Sequence, residues 1–179
     1  PVPEGYDPPP LGAEVFPEGL PASVFAGRPV LLHFFNPDCP CSRFNLRHFH
    51  ALVQAYGDRV DFRVLIPEER SRSKARKMLD VVLPVISDKG GQWAARCGVY
   101  ATPQAVILDE AGRLYYRGNY NQARFCTLPG SNFASLSLDA LLAGQPATDW
   151  GALAEKAYGC QIPDSSAQQA TFFFIPTHN

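Results

Sequence analysis

The sequence lacks several features that would place it in a common functional class. Neither sign of charge is in excess, because 16 Lys and Arg stand against 17 Asp and Glu. A chain without a basic surface is not expected to bind nucleic acid. It has only one Met, no internal repeat, and no apolar run near the roughly 20 residues that a membrane-spanning helix needs. These absences leave a globular chain as the default.

What is present supports that default. The chain has 179 residues, of which 46% are hydrophobic and 18% charged, together with 17 Pro. This composition is typical of a loop-rich globular protein with one core and argues against disorder throughout. We predict three parts: a Pro-rich leader over 1–19, one domain over 20–145, and a C-terminal extension over 146–179 that packs on the domain.

The beginning of the chain bears on location, and its cysteines bear on chemistry. Five Cys in a chain of this length allow two disulfides with one thiol left over, and two of them form a close pair, which favours redox chemistry over purely structural disulfides. The chain starts at Pro1 without an initiator Met, which is typical of a mature product from which a signal peptide or membrane anchor has been removed upstream of residue 1. We therefore expect an extracytoplasmic protein that is either secreted or anchored by a membrane tether upstream of residue 1.

Hydrophobic periodicity predicts an α/β fold. Val30–Phe35 is a continuous apolar run that fits a strand buried on both faces, and 40–56 has helical spacing that ends at Gly57. Further strands are predicted at 60–66, 83–86, 105–109 and 114–117, and further helices at 71–80, 90–97, 133–143 and 150–158. The early strands alternate with helices and should be parallel, whereas the last two form a hairpin. The pattern predicts a three-layer sandwich with a mixed central sheet flanked by helices.

Two cysteines at the start of the first helix carry the strongest chemical signal. Cys39-Pro40-Cys41 follows a buried strand directly, and Pro suits the first helical position. The N-terminus of a helix has unpaired N–H groups and a positive partial charge, which favour the reactive thiolate form of cysteine. We predict that Cys39 is the attacking nucleophile near the N-cap and that Cys41 is the more buried resolving thiol.

A disulfide between Cys39 and Cys41 would require Cys39 to leave helical geometry, because residues two apart point in different directions on a helix. Such a bond is expected to be strained and readily reduced. Two alternatives remain open: the pair consists of two structural thiols, or each cysteine forms a disulfide elsewhere in the chain.

Three segments resemble the thioredoxin-fold superfamily, in particular the bacterial periplasmic branch of TlpA-like and redoxin-type proteins. The first is LLHFFNPDCPC over 31–41, similar to the strand and active-site turn of that family. The second is ATPQ over 101–104 followed by AVILD, and the third is the hairpin EAGRLYYRG over 110–118. The three occur in the family's order, and the resemblance covers roughly residues 20–145.

The resemblance implies a thioredoxin-like fold and assigns further site residues. It implies that Pro103 is a cis proline beside the cysteines, and that Pro40, Thr102 and Pro103 contact the substrate. The partners would be protein thiol or disulfide substrates and a redox partner protein, in the bacterial periplasm, with no cofactor and no metal. The family motif is usually Cys-x-x-Cys, whereas this chain has the shorter Cys-x-Cys. The resemblance therefore does not indicate whether the protein reduces, oxidises or isomerises its substrates.

His33 lies six residues before Cys39 in the predicted strand. In the family this position often holds a buried acid that relays a proton during exchange, so the resemblance implies the same catalytic role for His33. A structural His bonded to a backbone carbonyl is an equally weighted interpretation.

The remaining cysteines are Cys97, Cys126 and Cys160, which allow three pairings if Cys39 pairs with Cys41. Cys126 lies in a long loop and Cys160 follows the last helix, and a disulfide stabilises such poorly packed regions most. We favour a structural Cys126–Cys160 disulfide, with Cys97 free and buried as a small hydrophobic residue.

The function that these features favour is thiol–disulfide oxidoreductase. One alternative is a redoxin-type thiol peroxidase, which is less favoured because Asn36 stands where such sites usually have Thr or Ser. The other is a non-enzymatic copper chaperone on the same fold, since two thiolates and a histidine suit Cu(I).

Overall fold

The computed structural model describes residues 2–16, 27–123 and 128–163. Cys126 and the apolar tail segment 171–175 lie outside the described residues. The core is a five-stranded mixed sheet in the order β3-β2-β1-β5-β6. None of the helices in the described ranges has the length and apolar character that crossing a bilayer requires.

The element order agrees with the predicted α/β pattern. The strands are β1 (Val30–Phe34), β2 (Asp61–Ile66), β3 (Val85–Ser87), β4 (Ala101–Thr102), β5 (Gln104–Leu108), β6 (Leu114–Gly118) and β7 (Cys160–Gln161). The helices are α1 (Leu46–Tyr56), α2 (Arg72–Leu79), α3 (Gln92–Cys97), α4 (Phe133–Leu142) and α5 (Ala152–Glu155). Strand β1 is parallel to β2 and antiparallel to β5, and β5 and β6 form the antiparallel hairpin.

Strand β1 is central because both of its faces are apolar. Leu31 faces one core cluster, which includes side chains of α1, α2 and α4. Leu32 faces a second cluster, which includes side chains of α3. Helices therefore cover both faces of the sheet, as the three-layer prediction requires.

A second, two-stranded sheet was not predicted. Strand β4 pairs antiparallel with β7, with Ala101 opposite Gln161 and Thr102 opposite Cys160. Strands of two residues are too short to show periodicity, and β7 follows a segment that we expected to be a helix up to residue 158. That helix, α5, ends at Glu155, which leaves the following residues free to extend along β4.

Buried amide groups fix the segment that leads to β7. The Asn119 side-chain nitrogen donates to the carbonyl oxygens of Leu153 and Lys156, at 3.2 and 2.8 Å. The Asn119 backbone nitrogen donates to the carbonyl oxygen of Ala154 at 2.7 Å. These bonds hold α5 against the end of β6 and direct the chain towards the first helix.

Candidate redox site

The first helix begins as predicted. Cys39 is its N-cap and has extended backbone angles (φ −85°, ψ 120°), and Pro40 is the first residue of a 3-10 helix, Pro40–Asn45, that continues into α1. Proline suits this position because the first N–H groups of a helix have no partner within it. Cys39 therefore leaves helical geometry directly before the first turn of the helix.

The disulfide differs from the prediction. Cys39 is bonded to Cys160, at a sequence separation of 121 residues and a Cα–Cα distance of 6.1 Å, whereas Cys41 is free. The predicted Cys39–Cys41 bond is therefore not formed in this structure. The physical reason is the β4–β7 pairing, which brings Cys160 beside Thr102 and within reach of the Cys39 sulfur.

The predicted Cys126–Cys160 disulfide is also wrong, since Cys160 is already bonded to Cys39. The prediction placed Cys160 in a poorly packed region after the last helix. In the structure Cys160 is instead part of a strand that is paired with β4. Cys126 itself lies outside the described residues.

Three sulfurs nevertheless meet at the helix N-terminus. The Sγ atoms of Cys39, Cys41 and Cys160 all lie within 4.8 Å of one another. Cys39 is almost fully buried, Cys41 has 9% of its surface exposed, and Cys160 is partly buried. A free thiol beside a disulfide is the arrangement that thiol–disulfide exchange requires, because the attacking thiolate must reach a sulfur of the bond.

The Thr102–Pro103 turn borders this group of sulfurs. Its peptide bond is cis, the isomer that the family resemblance implies. The Cys39 sulfur lies 3.9 Å from the Thr102 carbonyl oxygen. The backbone of Thr102 is at the same time paired with Cys160 in the small sheet. The structure thus brings together the cysteines and the turn that the resemblance placed beside them.

Charges close to Cys39 are partly neutralised. Lys74 on α2 forms an ion pair with Asp38, so the negative charge next to Cys39 is partly offset. Arg43 and Arg47 are exposed. Asn36 holds the turn before the helix, because its side-chain oxygen accepts a hydrogen bond from the Asp38 backbone nitrogen at 2.9 Å.

His33 is fully buried in β1. One ring nitrogen, Nδ1, is hydrogen-bonded to the Tyr120 hydroxyl at 2.6 Å, and the ring stacks on Phe49 with centroids 4.1 Å apart. Burial, together with the nearby His50, lowers the pKa of His33 to about 3. The imidazole is therefore neutral at physiological pH and is a weak base.

Cys97 is free and fully buried, as predicted. Burial raises the pKa of the Cys97 thiol, and the charge of Asp88 raises it further. A buried thiol that resists ionisation is a poor nucleophile, so Cys97 is a packing residue.

The residues that carry Cys160 to the site were not predicted from the sequence. The Tyr158 hydroxyl is hydrogen-bonded to the side-chain amide of Asn45, which is buried near the start of the first helix, and to that of Asn121. Gly159 lies directly against the Thr102–Pro103 backbone. The only sequence signal for this arrangement is a Gly beside a Cys late in the chain, which does not by itself indicate a contact.

Solved structures share the fold at low sequence identity. An uncharacterized conserved protein from Geobacillus kaustophilus has a TM-score of 0.68 at 18% identity, covering 89% of this chain and 93% of that one. A putative thioredoxin from Neisseria meningitidis has 0.54 at 14%, covering 70% and 82%. A putative protein disulfide isomerase from Bacteroides thetaiotaomicron has 0.51 at 18%, covering 68% and 78%. Together with the mixed sheet, they show a thioredoxin-like fold.

Sequence comparison identifies a family but no activity. No curated protein matches the chain. The model of the family described as Domain of unknown function (DUF6436) matches residues 17–162, a range that includes all five strands of the central sheet and all three site cysteines. The chain belongs to the DUF6436 family.

Proposed function

We propose that this protein is a thiol–disulfide oxidoreductase that acts on protein substrates through Cys39. The observation that carries the proposal is the disulfide at Cys39, at the N-terminus of a helix, with the free Cys41 thiol beside it. The N–H groups of the helix start stabilise a thiolate at this position. Pro40, Thr102 and Pro103 border the site and are proposed to position the substrate.

The proposed reaction begins with the three cysteines reduced. The Cys39 thiolate attacks a substrate disulfide, a mixed disulfide forms, and one substrate sulfur leaves as a thiolate and takes up a proton. Cys41 then loses its proton and attacks the Cys39 sulfur, which releases the second substrate sulfur and leaves a Cys39–Cys41 disulfide. Two electrons pass to the substrate, and the reverse sequence oxidises a dithiol.

His33 is proposed to influence proton transfer only from its neutral form. Its lowered pKa makes it a poor proton acceptor, since a general base is most effective when its pKa lies near the working pH. Because His33 is hydrogen-bonded to the Tyr120 hydroxyl, a substitution at His33 would also disturb the packing of the core around Tyr120.

Reduction of insulin by dithiothreitol, followed as turbidity, tests the proposal. Wild-type protein should accelerate the reaction, and Cys39→Ser should abolish the acceleration. Cys97→Ala is the matched control, because it removes a buried thiol away from the three sulfurs and should retain turnover. Full acceleration by Cys39→Ser would show that the reaction does not pass through this cysteine.

An extracytoplasmic location is part of the proposal. A disulfide that joins distant parts of the chain persists in oxidising compartments and is uncommon in a reducing cytoplasm. We propose the bacterial periplasm, with a redox partner protein that resets the Cys39 disulfide. The double variant Cys41→Ser, Cys160→Ser has no second cysteine at the site that could resolve a mixed disulfide on Cys39. It should therefore trap the partner protein as a stable mixed disulfide.

A second candidate function is the binding of Cu(I) by the reduced protein. The three sulfurs within 4.8 Å of one another favour it, because thiolates are the preferred ligands of Cu(I). The ligand set would be three cysteines, in place of the two thiolates and a histidine considered from the sequence. Tight binding of one equivalent of Cu(I), weakened in Cys160→Ser and accompanied by no insulin turnover, would favour this function over the first.

A further inference from the structure

The segment that carries Cys160 is paired with the short strand that leads into the cis Thr102–Pro103 bond. Strand β7 runs antiparallel to β4, with Cys160 opposite Thr102. The backbone nitrogen of Ile162 donates to the carbonyl oxygen of Tyr100 at 2.8 Å, which continues the pairing. The chain therefore adds its own strand to the backbone edge of β4, the mode in which many domains bind extended peptides.

Gly159 makes this close approach possible. A Cβ atom at Gly159 would collide with the carbonyl oxygen of Thr102 and crowd the backbone nitrogen of Pro103. Both obstacles are backbone atoms, so they cannot turn aside as a side chain would. Only glycine fits before the cysteine in this arrangement.

Tyr158 fixes the same segment on its other side. Its hydroxyl is hydrogen-bonded to the side-chain amides of Asn45, at 3.1 Å, and Asn121, at 3.1 Å. Asn45 is fully buried and belongs to the 3-10 helix that begins with Pro40. The segment is thus tied to the helix that carries Cys39 and Cys41.

From these contacts we infer that Cys160 is a third redox-active cysteine, presented by the chain to Cys39 in the manner of a substrate. Cys41 loses its proton and attacks the Cys39 sulfur, the Cys39–Cys160 bond breaks, a Cys39–Cys41 bond forms, and Cys160 leaves as a thiolate that takes up the proton. The exchange is an isomerisation, so no external oxidant or reductant is consumed. It releases β7 from its covalent link, so that only backbone pairing and hydrogen bonds hold the segment at the Thr102 edge.

The inference rests on the proposed function and narrows its substrate class. A peptide that occupied the edge as β7 does would be extended and would carry a glycine immediately before its reacting cysteine. External substrates would compete with the chain's own segment, whose effective concentration at Cys39 is high because it is intramolecular.

Labelling of the two disulfide isomers tests the inference without any external substrate. The full chain with Cys97→Ala and Cys126→Ser retains only the three site cysteines and is oxidised with one equivalent of diamide. N-ethylmaleimide then labels Cys41 in the Cys39–Cys160 isomer and Cys160 in the Cys39–Cys41 isomer, and peptide mass mapping gives their ratio. We expect Gly159→Ala to raise the ratio of Cys160 to Cys41 labelling at least about ten-fold.

Two further variants guard against a simple folding defect. Gly130→Ala is the matched control, since a Cβ at Gly130 meets nothing within 4 Å, and it should leave the ratio unchanged. Tyr158→Phe removes only the hydroxyl and should shift the ratio in the same direction as Gly159→Ala by a smaller factor. Equal ratios in all three variants, or no Cys160 labelling in any of them, would overturn the inference.

The outcome is independent of the insulin assay. Turnover that requires Cys39, combined with a ratio that does not respond to Gly159→Ala, would reject the inference alone. A responsive ratio without turnover of protein substrates would reject the proposed function and leave the internal exchange standing.

Discussion

At the scale of single residues, burial separates cysteines that look alike in the sequence. Cys97 and Cys41 are both free, yet Cys97 has no exposed surface whereas Cys41 retains 9%. Burial also raises the pKa of the Cys97 thiol. Reactivity follows the thiolate fraction and access to solvent, so the two thiols should differ in chemistry although neither is bonded.

Alkylation of the reduced native protein measures this difference. Iodoacetamide at pH 8 should modify Cys41 at least about ten-fold faster than Cys97, because the thiolate fraction falls about ten-fold for each unit of pKa increase. Quantitative peptide mass spectrometry gives the two rates. In denaturant the rates should converge, and equal rates in the native state would contradict the assignment of Cys97 as a packing residue.

His33 should make stability sensitive to acid. Its pKa is about 3 in the folded protein, against an ordinary value of 6.5, so between these pH values the unfolded chain binds more protons. Its contribution is complete above pH 6.5 and is lost as the pH falls towards 3. From pH 7 to pH 5 the free energy of unfolding should drop by about 2 kcal/mol on account of this residue.

Urea unfolding at the two pH values tests this, with His33→Asn as the comparison, since Asn keeps a hydrogen-bond partner for Tyr120 and does not titrate. The variant should be less stable at pH 7 but should lose less stability on acidification than the wild type. The same loss in both proteins would show that other groups cause the acid sensitivity.

At the scale of elements, the short segment of α5 and β7 depends on Asn119. That side chain is 1% exposed and donates to two backbone carbonyl oxygens of the segment. Helix α5 has only four residues and is too short to be stable alone. These hydrogen bonds therefore fix the position of the whole helix.

Asn119→Ala should therefore loosen the segment as well as lower stability. The loss of buried hydrogen bonds should reduce the free energy of unfolding by roughly 1–3 kcal/mol, and Cys160 in the reduced protein should be alkylated faster. Gln54→Ala, a change at an exposed position of α1, is the control and should change neither. Unaltered Cys160 alkylation in Asn119→Ala would mean that the segment is held by other contacts.

At the scale of the whole molecule, the two disulfide isomers constrain the unfolded chain very differently. The Cys39–Cys160 bond closes a loop across a sequence separation of 121 residues, whereas a Cys39–Cys41 bond would close a loop of three. In the chain-entropy model the long loop stabilises the folded state by about 5 kcal/mol and the short loop by less than about 2 kcal/mol, so the two isomers should differ by roughly 3 kcal/mol. Exchange between the isomers is therefore coupled to global stability.

Oxidised Cys41→Ser and oxidised Cys160→Ser isolate the two isomers. Cys41→Ser retains the long-range bond and should melt at a temperature roughly 5–15 °C higher than Cys160→Ser, given about 2–4 °C per kcal/mol for a chain of this size. The reduced forms of the two variants should melt close together, which controls for the substitutions themselves. A similar difference in the reduced forms would assign the effect to packing.

Much of the fold could be predicted from local patterns. The apolar run at Val30–Phe35, the helical spacing after Pro40 and the hairpin at 110–118 predicted the central sheet, because periodicity and turn residues depend only on neighbours in the chain. The N-cap position of Cys39 followed from the same kind of signal, since Pro40 suits the first turn of a helix.

The sequence by itself thus determined which residues form the core strands, where the first helix starts, and that Cys39 and Cys41 lie at its N-terminus. Only the tertiary structure decided which sulfur bonds to Cys39. A partner 121 residues away in sequence is selected by the pairing of β4 with β7 and by the hydrogen bonds of Tyr158, and neither leaves a periodic pattern. Such contacts depend on how distant elements pack, because a side chain in a short irregular segment finds its partner only once the surrounding fold has formed.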